Sequence, residues 1–305
     1  MKKFIALLTA LGLLLSFAAC GKSDQNTEPA TNVTQMNDDE INQLENELFG
    51  TTVPPTEATT APGETVTEEN SSTEEATTVT SDETTTAAPS NALSDNPAEW
   101  SKEQIVKYYK LAAAKSSNVT SKKTMVMKEL VVNEGDGLLA KFVDMATPLF
   151  KDALAKNSTE FIGITGGYGN LVPSDVKTAK AYKSGNYTVI EMTMVEQVDG
   201  AHGQEKEGTV GHAISVVGDL AVIEENLPMF DIDFENSETK IKYANPTVKV
   251  KINNQTHQIE KGTWSYDVNV DIKNLYIKNL RLPIEVTIKS GRGSVEFNVT
   301  VGGGF

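Results

Sequence analysis

Cysteine and histidine, the residues that most often bind metals or carry nucleophilic chemistry, are scarce in this sequence. Its 305 residues include one cysteine, Cys20, so the chain cannot form an internal disulfide. A domain without disulfides must be stabilised by packing alone. The three histidines, His202, His212 and His257, are dispersed, and no pair has the spacing of metal ligands. We therefore predict that all three are solvated surface side chains and that the chain uses no metal or other cofactor.

Basic residues are missing from a long N-terminal stretch. No lysine or arginine lies between Ser23 and Ser101, and residues 21–97 contain sixteen acidic residues against one basic residue, Lys22. From Ala98 onward the chain is nearly balanced, with 26 acidic and 24 basic residues. The formal net charge of -15 therefore belongs to the N-terminal segment. Because nucleic-acid binding needs a basic surface, we predict that this protein has no nucleic-acid partner.

An apolar run long enough to span a bilayer is also missing. The longest, residues 4–19, is shorter than the roughly 20 residues that a transmembrane helix needs. It follows Lys2 and Lys3 and ends in the small residues Ala18 and Ala19, which is the arrangement of a secretory signal peptide. We predict that residues 1–19 are this signal and that the protein is exported.

Cys20 directly follows the two alanines, and this junction resembles the lipobox of bacterial lipoproteins. The resemblance implies cleavage before Cys20 and acylation of its thiol and of the new amino terminus, with palmitate as an attached chain. The protein would then be lipid-anchored at the extracytoplasmic face of the cell membrane. The alternative is an ordinary signal peptide that happens to contain a cysteine.

Residues 20–97 have the composition of a disordered acidic tether. The stretch 51–86 is rich in threonine, proline and glutamate and has few apolar residues. Such a stretch cannot bury enough surface to offset the entropy lost on ordering. We therefore predict a solvated, threonine-rich stalk that holds the domain off the membrane.

One segment within this tether has the pattern of an amphipathic helix. Residues 38–50 begin with acidic residues, place apolar residues at Ile41, Leu44, Leu48 and Phe49, and end in a glycine. This segment has two interpretations: a docking peptide for a groove on a partner, or a short isolated helix that frays and has no role. We favour the second interpretation.

Residues 98–305 form the predicted globular domain, which is long enough for a substantial core. Ser101 and Gln104 fit a capping box, which predicts a helix over 101–116. A helical period also covers 138–156, whereas 209–227 is ambiguous between strand and helix.

Strict alternation of apolar and polar residues dominates the chain after residue 229. The run Trp264, Tyr266, Val268 and Val270 is typical of an antiparallel sheet that is wetted on one face. A break in this alternation at 245–246 predicts a bulge or an edge position. The fold class that we predict is α+β: a curved antiparallel β-sheet with the N-terminal helices packed on one face, preceded by the disordered stalk.

The sequence contains no recognised set of catalytic residues. The glycines of segment 163–170 match neither the G-x-G-x-x-G nor the P-loop spacing, and we predict a flexible surface loop. Asp231, Asp233 and Glu235 would share one strand face and could gather Ca²⁺, but Asn236 stands where the calcium loop needs glycine. We favour a solvated polar strand face there and predict that the protein is not an enzyme.

Three short segments carry a resemblance to a family. These are 100–106 with the tyrosines at 108 and 109 and the alanine at 112, then 174–179, then 185–189. Together with the lipobox and the stalk, they resemble uncharacterised lipoproteins of Gram-positive, clostridial-type bacteria. The resemblance implies no activity and no catalytic residues.

Three functional hypotheses follow. The first is a non-catalytic, membrane-anchored domain that binds a hydrophobic or lipidic ligand in an apolar pocket between the curved sheet and the helices over its dry face. Met125, Met127, Met192 and Met194 would suit an adaptable lining of this pocket, but we favour a plain core role for them. The alternative is a structural or protein-interaction module of the cell envelope that uses the polar sheet face or the 38–50 helix. A third hypothesis, a hydrolase, would need two carboxylates that converge in a cleft. The expected partners are the membrane, through the lipid, and a ligand or envelope protein of unknown identity.

Overall fold

The structure is a computed structural model that describes residues 36–50, 92–134, 159–203, 208–216, 230–280 and 284–305. The predicted signal peptide, Cys20 and the predicted helix over 138–156 lie outside the described residues. Most of the ambiguous segment 209–227 lies outside them as well.

The described part of the chain is dominated by one sheet. Its strands are β1 (Thr120–Glu134), β2 (Thr159–Ile162), β3 (Val176–Ser184), β4 (Tyr187–Met194), β5 (Gln197–Gly200), β6 (Phe230–Asp233), β7 (Lys240–Asn253), β8 (Ile259–Asn279) and β9 (Ile284–Val301). Their order is β2-β1-β9-β8-β7-β4-β3, while β5 also pairs with β7 and β6 with β8. Every pairing is antiparallel. The prediction of a sheet-dominated α+β fold with an antiparallel sheet is therefore confirmed.

Strand β8 shows why the sheet has one dry face. Its alternate residues from Trp264 to Val270 are at most 5% exposed. The register places Tyr266 opposite Phe297 of β9, so that neighbouring strands contribute to the same apolar layer. The intervening positions of β8 are only partly buried, and the same polar face of the sheet carries ion pairs between other strands, such as Lys249 of β7 with Glu191 of β4 at 2.9 Å. The predicted wetting of one face is confirmed.

The break in alternation within β7 is a bulge, as the sequence predicts. The register between β7 and β8 shifts between Ala244 and Thr247, and Asn245 has a φ of 53°. Asparagine tolerates this left-handed conformation better than most residues. Pro246 has no N–H to donate, and it falls where the ladder is interrupted.

In the part of the chain that the structure describes, three α-helices accompany the sheet: α1 (Asp38–Phe49), α2 (Lys102–Lys115) and α3 (Thr209–Ala213). Helix α2 begins at the predicted capping box, in which the Gln104 N–H donates to Ser101 Oγ at 3.2 Å and the Ser101 N–H donates to Gln104 Oε1 at 2.9 Å. A buried bond joins α2 to the dry face, because Trp264 Nε1 donates to the Tyr109 hydroxyl at 2.8 Å. Trp264 and Tyr109 are both fully buried, so this bond lies inside the core.

The glycine-rich segment 163–170 is mostly buried, and the prediction of a flexible surface loop is wrong. It packs against α3, where the Gly167 N–H donates to the Gly211 carbonyl at 2.9 Å. A Cβ atom on Gly166 would lie 2.7 Å from the backbone carbon of Ala213, and the φ of Gly166 is +84°. Glycine is needed here because two backbone segments approach more closely than a side chain would allow.

Candidate functional site

Helix α1 is well formed by its own residues. The Glu40 N–H donates to Asn37 Oδ1 at 2.9 Å, and the Asn37 N–H donates to Glu40 Oε2 at 3.0 Å, which completes a capping box. Acidic residues fill the first turn, where the helix dipole favours them. Gly50 ends the helix in the left-handed conformation, at a φ of 64°.

Helix α1 docks on α2, which differs from the disordered tether predicted for residues 20–97. Leu48 is 1% exposed and belongs to the main hydrophobic core, while Ile41 packs against that core. Full burial of a leucine side chain contributes about 1.5–3 kcal/mol. The sequence analysis favours an isolated, frayed helix for residues 38–50, and that prediction is therefore wrong. The partner of the helix is the domain of the same chain.

Two ion pairs join the polar side of α1 to α2. Glu47 Oε2 lies 3.0 Å from Lys107 Nζ, and Glu45 Oε1 lies 2.7 Å from Lys115 Nζ. The hydrogen bond from Lys107, followed by one from Gln43, lowers the pKa of Glu47. All four charged side chains remain 25–34% exposed, so each pair contributes at most about 1 kcal/mol. The pairs fix the register of α1 more than they strengthen its attachment.

An aromatic cluster surrounds the C-terminal end of α1. The ring of Phe49 lies 4.8 Å from the ring of His257 and 6.3 Å from that of Tyr108, and Tyr108 packs edge-on against Trp100 at 5.0 Å. The Tyr108 hydroxyl lies 3.1 Å from His257 Nδ1. Burial raises the pKa of Tyr108 to about 12, so its hydroxyl stays protonated at neutral pH.

His257 is half-buried within this cluster, and the prediction of a solvated surface histidine is wrong for it. Burial lowers the pKa of His257 from its ordinary value of 6.5, Lys115 lowers it further, and Glu45 acts in the opposite direction. Because the docked state disfavours the protonated ring, the contribution of His257 to docking is fully present above about pH 6.5. That contribution is lost as the pH falls through the lowered pKa.

Removing the ring that covers His257 should raise the histidine's pKa. In a Phe49→Ala variant we expect the pKa of His257 to move up toward 6.5, because water regains access to the imidazole. NMR titration of the His257 ring measures this shift directly. Asn42→Ala, on the exposed side of α1, serves as the control and should leave the titration unchanged. Identical titration curves for Phe49→Ala and the unsubstituted chain would contradict the placement of α1.

A shallow groove of about 210 Å³ lies along α1. Its lining includes Met36, Gln43 and Leu44 from the α1 segment, Lys110 from α2, and Gly169. Burial lowers the pKa of Lys110, whereas the charge of Glu40 raises it. The groove shows that the seam between α1 and α2 is incompletely packed.

A second polar cluster lies where the 3₁₀ turn Pro173–Asp175 meets α3. His212 Nδ1 lies 2.9 Å from Asp175 Oδ2, and the same oxygen accepts the Val172 N–H at 3.0 Å. Asp175 is buried and His212 is only 19% exposed, so the prediction of a surface side chain is wrong for His212 as well. Within the described residues, the ring of His212 has no hydrogen-bond partner other than Asp175. The pair joins the turn Pro173–Asp175 to α3.

Asp233, the middle one of the three acidic residues near β6, is bonded into a turn. Both carboxylate oxygens of Asp233 accept bonds from Asn236 Nδ2, at 3.0 and 2.8 Å, and the Asn236 N–H also donates at 3.0 Å. These bonds lower the pKa of Asp233. Across the described ranges, no group of three or more His, Cys, Asp or Glu residues is arranged to hold a metal ion.

The four methionines that would suit a ligand pocket are core residues, which is the role that the sequence analysis favours for them. Met125, Met127, Met192 and Met194 are at most 3% exposed. Their neighbours are closely packed: the ring of Tyr266 stacks on that of Phe297 at 4.6 Å. These side chains fill the dry face of the sheet.

Comparison with known proteins found no matching family model, no matching curated protein and no matching solved structure. The resemblance to clostridial-type lipoproteins and the lipid attachment at Cys20 therefore stay predictions. Among the residues that the structure describes, no helix is both long and apolar enough to cross a membrane.

Proposed function

We propose that this protein is an extracytoplasmic lipoprotein, anchored to the cell membrane through Cys20, whose domain is a non-catalytic interaction module that binds an amphipathic helix. The docking of α1 on α2 is the observation that carries the interaction role. The finer architecture belongs to the same proposal: the predicted helix over 138–156 joins α2 on the dry face of a curved sheet, and the acidic stalk precedes the domain.

Helix α1 has the character of a bound ligand. It carries its own caps at both ends, and residues 51–91, a stretch of 41 residues, separate it from the domain in sequence. Its main anchors are Leu48 in the core and Phe49 on His257, with ion pairs at the rim. Helix-in-groove recognition uses this combination of apolar anchors on one face and charges on the other.

The interaction role is favoured over the binding of a hydrophobic or lipidic ligand. A pocket for such a ligand would need an apolar cavity of several hundred Å³. The four methionines that would suit its lining are packed into the core. The groove along α1 is smaller and is lined partly by charged and amide side chains.

A synthetic peptide tests whether the domain recognises this helix. The peptide spans residues 36–50 and carries a fluorophore, and its binding to the mature chain (residues 20–305) with Cys20→Ser is followed by anisotropy. A Leu48→Asp substitution in the chain places a charge at a position that is 1% exposed, so it should release α1 and vacate the site. We expect the peptide to bind this variant at least about tenfold more tightly than the chain whose own α1 competes in cis.

The controls distinguish specific recognition of the helix from nonspecific binding of the peptide. The chain with Asn42→Asp gains the same charge on the exposed side of α1 and should behave like the unsubstituted chain. A peptide that itself carries Leu48→Asp should not bind. If the folded, vacated domain binds neither peptide, or both equally, the interaction role is refuted.

A further inference from the structure

We infer that helix α1 is a latch that sets how far the domain can stand from the membrane. The inference rests on the proposed anchor at Cys20. While α1 is docked, the chain between Cys20 and Met36 is the whole connection between lipid and domain. Residues 51–91 then add nothing to the reach of the domain.

The geometry at the end of α1 carries this inference. The Leu93 N–H donates to the Leu48 carbonyl at 2.9 Å, so the chain returns to the domain beside the point where it leaves α1. Gln104 Nε2 donates to the Ala92 carbonyl at 3.1 Å, which holds the returning segment on α2. The residues that flank 51–91 therefore lie close together in space.

Undocking changes the length of the connection severalfold. The docked state leaves 15 residues between Cys20 and Met36, whereas the undocked state leaves 72 between Cys20 and Leu93. The number of residues limits the reach of the two connections. At full extension they reach about 55 Å and about 250 Å. Release of one short helix would thus free the domain to reach partners well beyond the membrane surface.

The attachment is suited to release because it is modest. Leu48 is the one α1 residue that the structure buries completely, and Phe49 is 43% exposed. The ion pairs of Glu45 and Glu47 are partly exposed to solvent, which screens them. The groove along α1 leaves part of the seam unfilled. A partner that competes for α1 or for its site would open the latch.

Distance measurements between two spin labels test the latch. The mature chain with Cys20→Ser carries labels at Ser23→Cys, on the membrane side of α1, and at Lys180→Cys, an exposed position of β3. Pulsed EPR then gives the distribution of distances between the labels. We expect a distribution about twice as broad for Leu48→Asp as for the otherwise unsubstituted chain, because the segment between label and domain lengthens. Asn42→Asp, the matched charge control, should keep the narrow distribution.

A second variant distinguishes release of α1 from unfolding of the domain. Glu45→Lys with Glu47→Lys opposes Lys115 and Lys107 with like charges and leaves Leu48 in place. It should broaden the distribution as well. A broad distribution already present in the unsubstituted chain, or a narrow one in both latch variants, would overturn the inference. The labelled chain carries no lipid, so a failure of the Cys20 anchor would refute the proposed function without altering these distances.

Discussion

Replacing Trp264 by alanine should lower the free energy of unfolding by about 3–5 kcal/mol, the range measured for large aromatic residues in cores. Trp264 is fully buried in β8, and its Nε1 donates to the Tyr109 hydroxyl of α2 at 2.8 Å. The substitution opens a cavity and also leaves a buried hydroxyl without its donor. It therefore breaks the contact between sheet and helix at its most enclosed point.

Urea denaturation followed by far-UV circular dichroism measures this loss, because the signal does not depend on the tryptophan that is removed. Lys261→Ala, at an exposed position of the same strand, is the control and should change stability by less than about 0.5 kcal/mol. A loss below about 1 kcal/mol for Trp264→Ala would show that α2 does not pack on the sheet as described.

Replacing Cys20 by serine should move the protein from the membrane fraction to the soluble fraction almost completely. Serine cannot form the thioether that the lipobox resemblance implies, so the variant would lack the attached diacylglycerol. Stable anchoring takes two acyl chains, whereas a single chain gives only marginal membrane binding. The acidic segment 21–97 would not hold the variant on an anionic surface, because it has one basic residue.

Cell fractionation with radiolabelled palmitate measures both consequences of the Cys20 substitution. Ser23→Ala, three residues away, is the matched control and should retain label and membrane association. If the Cys20→Ser protein still sediments with membranes, the anchor lies elsewhere in the molecule.

Much of the sheet could be predicted because strand patterning is local. A face that alternates from Trp264 to Val270 needs no knowledge of its partner strands to be identified. The bulge at Asn245 could be predicted for the same reason, since a proline after a residue that tolerates positive φ interrupts the period. The capping box at Ser101 and Gln104 spans four residues and was equally visible.

The candidate site could not be predicted because its contacts are distant in sequence. Glu47 meets Lys107 across 60 residues, and Tyr108 meets His257 across 149. The periodicity of residues 38–50 indicated an amphipathic helix but not the surface that would cover its apolar face. One signal was available: two glutamates near the end of the 38–50 helix have charges complementary to those of lysines in the helix that follows it.

The packing of segment 163–170 against α3 was missed for a related reason. A segment this rich in glycine is interpreted as a loop, because the sequence shows the conformational freedom of glycine but not which backbone segment packs against it. The His212–Asp175 pair was missed because each residue is unremarkable in its own segment. Topology brings the two turns together, and neither turn has a local pattern that indicates the other.

Both the proposed location and the inferred latch depend on the proposed lipid at Cys20, and mass spectrometry of the N-terminal peptide tests this attachment most directly. Protein extracted from native membranes with detergent is digested, and the peptide that contains Cys20 is sequenced by fragmentation. We predict a peptide that begins at Cys20 and bears a thioether-linked diacylglycerol. A peptide that begins at another residue, or one with an unmodified thiol, would contradict the account.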